Sequence, residues 1–119
     1  MRVAIVGSRN IGCEIDRCEE VGDLLDTLPS DTLIVSGGAP EMDRIGVQLA
    51  KNRKMPTKVY PADWDKYGKR AGFLRNQTIV DNCDVVHAWW DGKSRGTANT
   101  IELARKAGKP VVIHSIGEK

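Results

Sequence analysis

Short apolar runs alternate with amphipathic stretches along the whole chain. RVAIV (residues 2–6), TLIVS (32–36), TKVY (57–60), VVHAW (85–89) and VVIH (111–114) are β-branched runs bounded by turn formers. That pattern predicts strands buried on both faces, with TKVY the weakest because Lys58 interrupts it. Between the first two runs, Ile15, Cys18, Val21, Leu24, Leu25 and Leu28 recur at three- and four-residue spacing, which predicts a helix over 13–28 stopped by Pro29 and Ser30. Met42, Ile45, Gly46, Leu49 and Ala50 mark a second helix. PADWDKYGKRAG, after the third run, reads as the longest irregular stretch, and loops of that length often carry function. A third helix is expected over 73–82, with Leu74, Ile79 and Val80 available for burial. A fourth, over 97–107, closes at Gly108 with Pro110 beyond it.

Strands separated by helix-length crossovers return to the same end of a sheet, so they pair in parallel with right-handed connections. The expected fold is α/β, a Rossmann-like three-layer sandwich built on a five-stranded parallel sheet of order 3-2-1-4-5 with helices on both faces, in one domain spanning 1–119. Its switch point lies between the first and fourth strands, where ligands of such sheets bind. Gly7, Ser8 and Arg9 would face the loop 90–97 there, with Gly37 and Gly38 next door. In DVVHAWWDGKSRGT (84–97) a strand runs into a glycine-flanked loop that opens a helix. Gly92, Ser94, Gly96 and Thr97 would let backbone N–H groups approach an anion, although a plain strand-to-helix connection could use the same residues. Trp89 and Trp90 point to opposite faces of a strand, and Trp90 is the candidate for the pocket.

Composition narrows the partners. The 119 residues are 40% hydrophobic and 29% charged, ordinary for a globular protein, and the formal net charge is only +2. Lys and Arg are interleaved with Asp and Glu, which argues against a nucleic-acid partner. Three cysteines without a Cys-x-x-Cys pair, and two histidines, encode neither a disulfide framework nor a metal site. Met1 leads straight into the first strand and no run reaches membrane-spanning length, so a cytoplasmic protein is expected, without membrane contact.

The motifs GSR (7–9), SGGAPEMD (36–43), PADW (61–64), GKRAGFLRNQ (68–77), WDGKSRGT (90–97) and ARKAGKPVV (104–112) occur in an order that resembles the SLOG superfamily, in the branch related to YspA and YpsA. The resemblance covers nearly the whole chain. It implies a Rossmann-like fold and binding or processing of nucleotides and nucleotide-derived signals. Carried over residue by residue, it implies ligand contacts from Gly7, Ser8, Arg9, Gly37, Gly38, Asp43, Arg75, Asn76 and Trp90, and from the loop residues Gly92, Ser94, Arg95, Gly96 and Thr97. Three of them have plainer alternatives: Arg9 could pair with a carboxylate, Asp43 could favour a helix dipole, and Arg75 could be a solvated helix residue. Glu41 stands where relatives commonly have Gly.

Three functions compete. The main expectation is binding, by sensing or sequestration, of a phosphorylated nucleotide-type small molecule such as an ADP-ribose derivative or a cyclic nucleotide second messenger, with no cofactor required and with a homo-oligomer expected. The alternative is a nucleotide-processing hydrolase, with Asp43 or Glu41 as its acid. The related Lonely Guy phosphoribohydrolases use a PGG-x-GT-x-x-E loop, but the position of that glutamate is Thr100 here, and Glu102 lies ~200° around the helix. The reading therefore leans away from an enzyme. The third function, from the DNA-processing members, is a single-stranded nucleic-acid module using Lys66, Lys69, Arg70, Arg75, Lys93 and Arg95.

Overall fold

In the computed structural model, which describes residues 1–7, 15–37, 42–90, 92 and 94–115, strands and helices alternate as the hydrophobic pattern requires. The elements are β1 (Arg2–Gly7), α1 (Ile15–Asp26), β2 (Leu33–Ser36), α2 (Met42–Asn52), β3 (Thr57–Val59), α3 (Trp64–Tyr67), a 3-10 turn (Gly68–Arg70), α4 (Ala71–Asp81), β4 (Val85–Trp90), α5 (Arg95–Lys106) and β5 (Val111–Ser115). The sheet has the order β3-β2-β1-β4-β5 and is parallel throughout. This is the expected Rossmann-like α/β fold. At its centre β1 and β4 run in register from Val3 opposite Val85 to Gly7 opposite Trp89. At the amino end the Arg2 backbone N–H donates to Asp84 Oδ2 at 2.7 Å, and the Arg2 guanidinium adds a 3.1 Å bond to Asp84 Oδ1.

Alternation along the strands sends side chains to two separate cores. Val3, Ile5, Ile34 and Trp89 pack beneath α1 and α2 with Val21, Leu25, Ile45 and Ala50. Ala4, Val6, Val35, Val86 and Ala88 pack beneath α4 and α5 with Ile79, Val80, Ile101 and Ala104. Gly46 lets α2 approach β1: a Cβ there would lie 2.9 Å from Ile5 Cγ2.

The structure departs from the sequence expectation in the stretch after β3. Residues 64–71 are not irregular. The Asp63 carboxylate accepts a 3.1 Å bond from the Lys66 N–H and so caps α3. Gly68, at φ 60°, then ends the short helix and lets the chain turn into α4, which begins two residues before the expected Phe73. Leu74, expected inside, is 43% exposed, because Ala71, Asn76, Ile79 and Val80 make up the buried side of α4. Similarly, α5 begins at Arg95 rather than Thr97.

Candidate functional site

Parallel pairing brings the carboxyl ends of the strands to one edge of the sheet, and the helix that follows β3 starts there too. Of the residues expected to bind a ligand, Gly7 and Gly37 close β1 and follow β2 at this edge. Ser8, Arg9, Gly38 and Glu41 lie outside the described residues, as does the Asp43 side chain. Thr100, where a phosphoribohydrolase would carry its glutamate, is buried and donates its hydroxyl to the Gly96 carbonyl at 3.2 Å.

Arg75 and Asn76 join three elements. The Arg75 guanidinium donates from Nη1 to the Gly37 carbonyl at 2.8 Å and from Nε to Asn76 Oδ1 at 3.1 Å. Asn76, only 5% exposed, donates from Nδ2 to the Gly96 carbonyl at 3.2 Å and to Asn99 Oδ1 at 3.0 Å. The amide thus binds the first turn of α5 to α4, and the guanidinium binds α4 to the end of β2. Gly37 is buried beneath this contact, since a Cβ would sit 2.7 Å from Arg75 Cδ. Trp90 is tied to its own loop, its indole N–H donating to the Ser94 carbonyl at 3.1 Å. Gly92 adopts φ 82°, Gly96 and Arg95 are exposed, and Thr97 is buried.

Beside this network lies an open cleft of about 480 Å³, lined in part by Tyr67, Arg70, Leu74, Arg75, Gln77 and Thr78. Tyr67 is 40% exposed, Arg70 is exposed, and the Lys66 ammonium stands 5.2 Å from the centre of the Tyr67 ring. Phe73, on the next turn of α4, is exposed as well. Sequence reasoning placed Arg70 and Arg75 near a site but missed Leu74, Gln77 and Thr78. The available signal was the three- and four-residue spacing of Arg70, Leu74, Gln77 and Thr78, which shares one helix surface. The Lys69 side chain and Lys93 lie outside the described residues.

The two histidines form a separate cluster. His87 Nδ1 and His114 Nε2 are 3.1 Å apart, and the His114 ring stacks on Trp89 at 4.1 Å between centroids. Trp89 donates its indole N–H to Glu20 Oε1 at 3.0 Å. Burial and the neighbouring His114 hold His87 down to about 4. His114 is also lowered by burial, with the Glu20 charge opposing. His87 is therefore a hydrogen-bonded residue of the sheet. Among the described residues no group of three or more His, Cys, Asp or Glu is placed to hold a metal, and no helix is long and apolar enough to cross a membrane.

The family model described as YAcAr, the YspA, cpYpsA-related SLOG family, matches residues 1–67. The chain belongs to this SLOG family. It is 34% identical over 124 residues to the Gene 61 protein of Mycobacterium phage D29, covering 99% of this chain and 98% of the relative. Among solved structures, the SLOG chain is similar to DNA processing protein A (DprA) from Streptococcus pneumoniae, with a TM-score of 0.74 and 21% identity over 94% of this chain and 49% of that one. It is also similar to DNA processing protein A from Helicobacter pylori, with a TM-score of 0.67 and 22% identity over 95% of this chain and 64% of that one. The SLOG chain therefore spans about half of the first of these proteins and less than two thirds of the second, and the likeness is one of fold.

Two expectations are corrected here. Binding of an ADP-ribose derivative, a cyclic nucleotide or another phosphorylated nucleotide-type small molecule finds no support in these relatives. The argument against a nucleic-acid partner is contradicted, because the Helicobacter pylori structure is reported for its single-stranded DNA binding mode. The physical error was to read a formal charge of +2 as if it were spread evenly. A near-neutral sum permits local cations, and Arg70 and Arg75 both line one cleft, together with the Asp63 carboxylate, while the Lys66 ammonium stands against the Tyr67 ring.

Proposed function

We propose that this SLOG chain binds single-stranded DNA along the cleft beside α3 and α4, at the carboxyl edge of the sheet. The observation that carries the reading is the placement of Tyr67 and Arg70, both exposed, on the walls of one open cleft. A single strand offers unstacked bases and a phosphate backbone. Bases need exposed π faces, and phosphates need cations free to approach them. Tyr67 supplies the first and Arg70 the second, while Leu74 adds apolar surface and Gln77 and Thr78 add hydrogen-bonding groups. Arg75 has a different part: bonded to the Gly37 carbonyl, it holds the cleft wall against the sheet. Support also comes from the shared fold with the Helicobacter pylori protein, itself a binder of single-stranded DNA.

Fluorescence anisotropy with a labelled oligothymidine and a duplex of equal length tests the reading. Binding to the single strand that weakens with added salt, and weaker binding to the duplex, is the expected result. No binding to the single strand, or duplex binding as tight as single-strand binding, overturns it.

A further inference from the structure

A carboxylate stands in the cleft beside α3 and α4, where a groove that bound phosphate alone would need none. Among the described residues that line the cleft Asp63 alone is acidic, and it shares the space with Tyr67 and Arg70. Like charges repel, so a strand whose phosphates lie toward Arg70 brings something other than phosphate to Asp63. What a single strand has left to offer there is the edge of a base, which proteins read by hydrogen bonds.

The Asp63 carboxylate is equipped for that contact. It is exposed, and its Oδ1 accepts the Lys66 N–H at 3.1 Å. No other group among the described residues bonds to it. A carboxylate has about four lone-pair sites, so both oxygens can still accept from a ligand. Tyr67 lies one helical turn on, its N–H donating to the Asp63 carbonyl at 3.0 Å. Side chains at that spacing have Cβ atoms about 5–6 Å apart, within the breadth of a base. A base stacked on the Tyr67 ring thus reaches Asp63 with its edge.

The four bases differ in what that edge presents. Guanine alone sets two N–H donors, N1–H and N2–H, side by side. Adenine and cytosine put one N–H next to an acceptor nitrogen, which a carboxylate oxygen repels. Thymine flanks its single N–H with two carbonyls. Two parallel N–H···O bonds to one carboxylate are stronger and more selective than one.

We propose that Asp63 makes the cleft selective for guanine, its two oxygens accepting the N1–H and N2–H of a guanine stacked on Tyr67 within a bound single strand. The inference rests on the single-strand reading above and adds a base preference to it. Asp63 keeps its bond to Lys66 throughout, so selection requires no change in α3.

Fluorescence anisotropy compares a short oligothymidine with the same strand carrying one central guanine. The guanine strand should bind about fivefold or more tighter. Hypoxanthine in place of guanine lacks the 2-amino group, and most of the gain should disappear with it. Asp63→Asn separates base reading from helix capping. The amide oxygen still caps α3, since Asn caps as well as Asp does, while an NH2 group faces the donors of guanine. In this variant the guanine gain should vanish, whereas oligothymidine should bind at least as tightly, because a negative charge has left the cleft. A purely capping role would leave the ratio between the two strands unchanged. Oligothymidine binding with no gain from guanine overturns the inference and leaves the single-strand reading standing. A gain that persists in Asp63→Asn overturns the assignment to Asp63, and failure to bind either strand overturns both readings.

Discussion

Arg75 occupies the space that a side chain at Gly37 would need. Its Nη1 donates to the Gly37 carbonyl at 2.8 Å, and its Cδ would lie 2.7 Å from a Cβ added at Gly37. Gly37→Ala should therefore displace the guanidinium and lose its bond, at a cost of about 1–3 kcal/mol. Urea unfolding checks the size of the loss. In an Arg75→Ala background the same glycine substitution should cost far less, because the group it collides with is gone. Equal costs in the two backgrounds would place the strain elsewhere.

Asn76→Leu keeps the volume of the side chain and removes the donor shared by the Gly96 carbonyl and Asn99. With the residue 5% exposed, water has little access to replace it. The expected loss is about 1–3 kcal/mol in denaturant unfolding. Faster amide hydrogen exchange should be concentrated in the first turns of α5, the element that Asn76 anchors.

Tyr67→Ala and Arg70→Ala separate stacking from charge. If bases stack on Tyr67, its removal should weaken oligothymidine binding by about 1–3 kcal/mol, roughly 5- to 150-fold, with little change in the salt dependence. Arg70→Ala should reduce the slope of log affinity against log salt by about 0.7, the share of one phosphate contact on a single strand. Both residues are exposed, so melting temperatures should stay within a few degrees of wild type.

Acid should weaken the fold in a defined window. His87 is held down to about 4 by burial and by His114, whereas an unfolded histidine titrates near 6.5. Between these values the unfolded chain takes up a proton that the folded chain refuses, so stability is full above about pH 6.5 and falls as the pH drops toward 4. His114 is shifted in the same direction. The expected loss is on the order of 1 kcal/mol after allowance for solvent screening of half-buried rings. Asp26 and Asp84, held below the ordinary carboxylate range by Arg53 and Arg2, lose their contribution only at lower pH. Urea midpoints at pH 7 and pH 4.5, compared between wild type and His87→Gln, measure the effect. A wild-type midpoint that does not move contradicts it.

The fold was legible because strands covered on both faces must read as unbroken apolar runs, and RVAIV, TLIVS and VVHAW do. Helix crossovers between such runs leave few topologies open. The region after β3 was hidden by its chemistry. Asp63, Gly68 and several lysines look like loop residues, and a cap on a four-residue helix leaves no periodic trace. Arg75 and Asn76 were legible as important but not in their role. A guanidinium or amide offers the same N–H groups to a phosphate as to the carbonyls of Gly37 and Gly96, and only their spatial neighbours distinguish the two. The cationic side of the cleft was invisible in the net charge, which carries no positions.

The strand made first stands in the middle of the sheet. During synthesis, β1 can recruit β2 early, but its other edge stays open until β4 exists, since Val3 finally pairs with Val85. Contacts between residues so far apart in sequence are slow to form, and an open apolar edge invites wrong partners while it waits. Refolding should therefore be slower than for a helical bundle of the same size. Its rate should fall most with substitutions at the β1–β4 seam, where the two halves of the molecule first recognise each other.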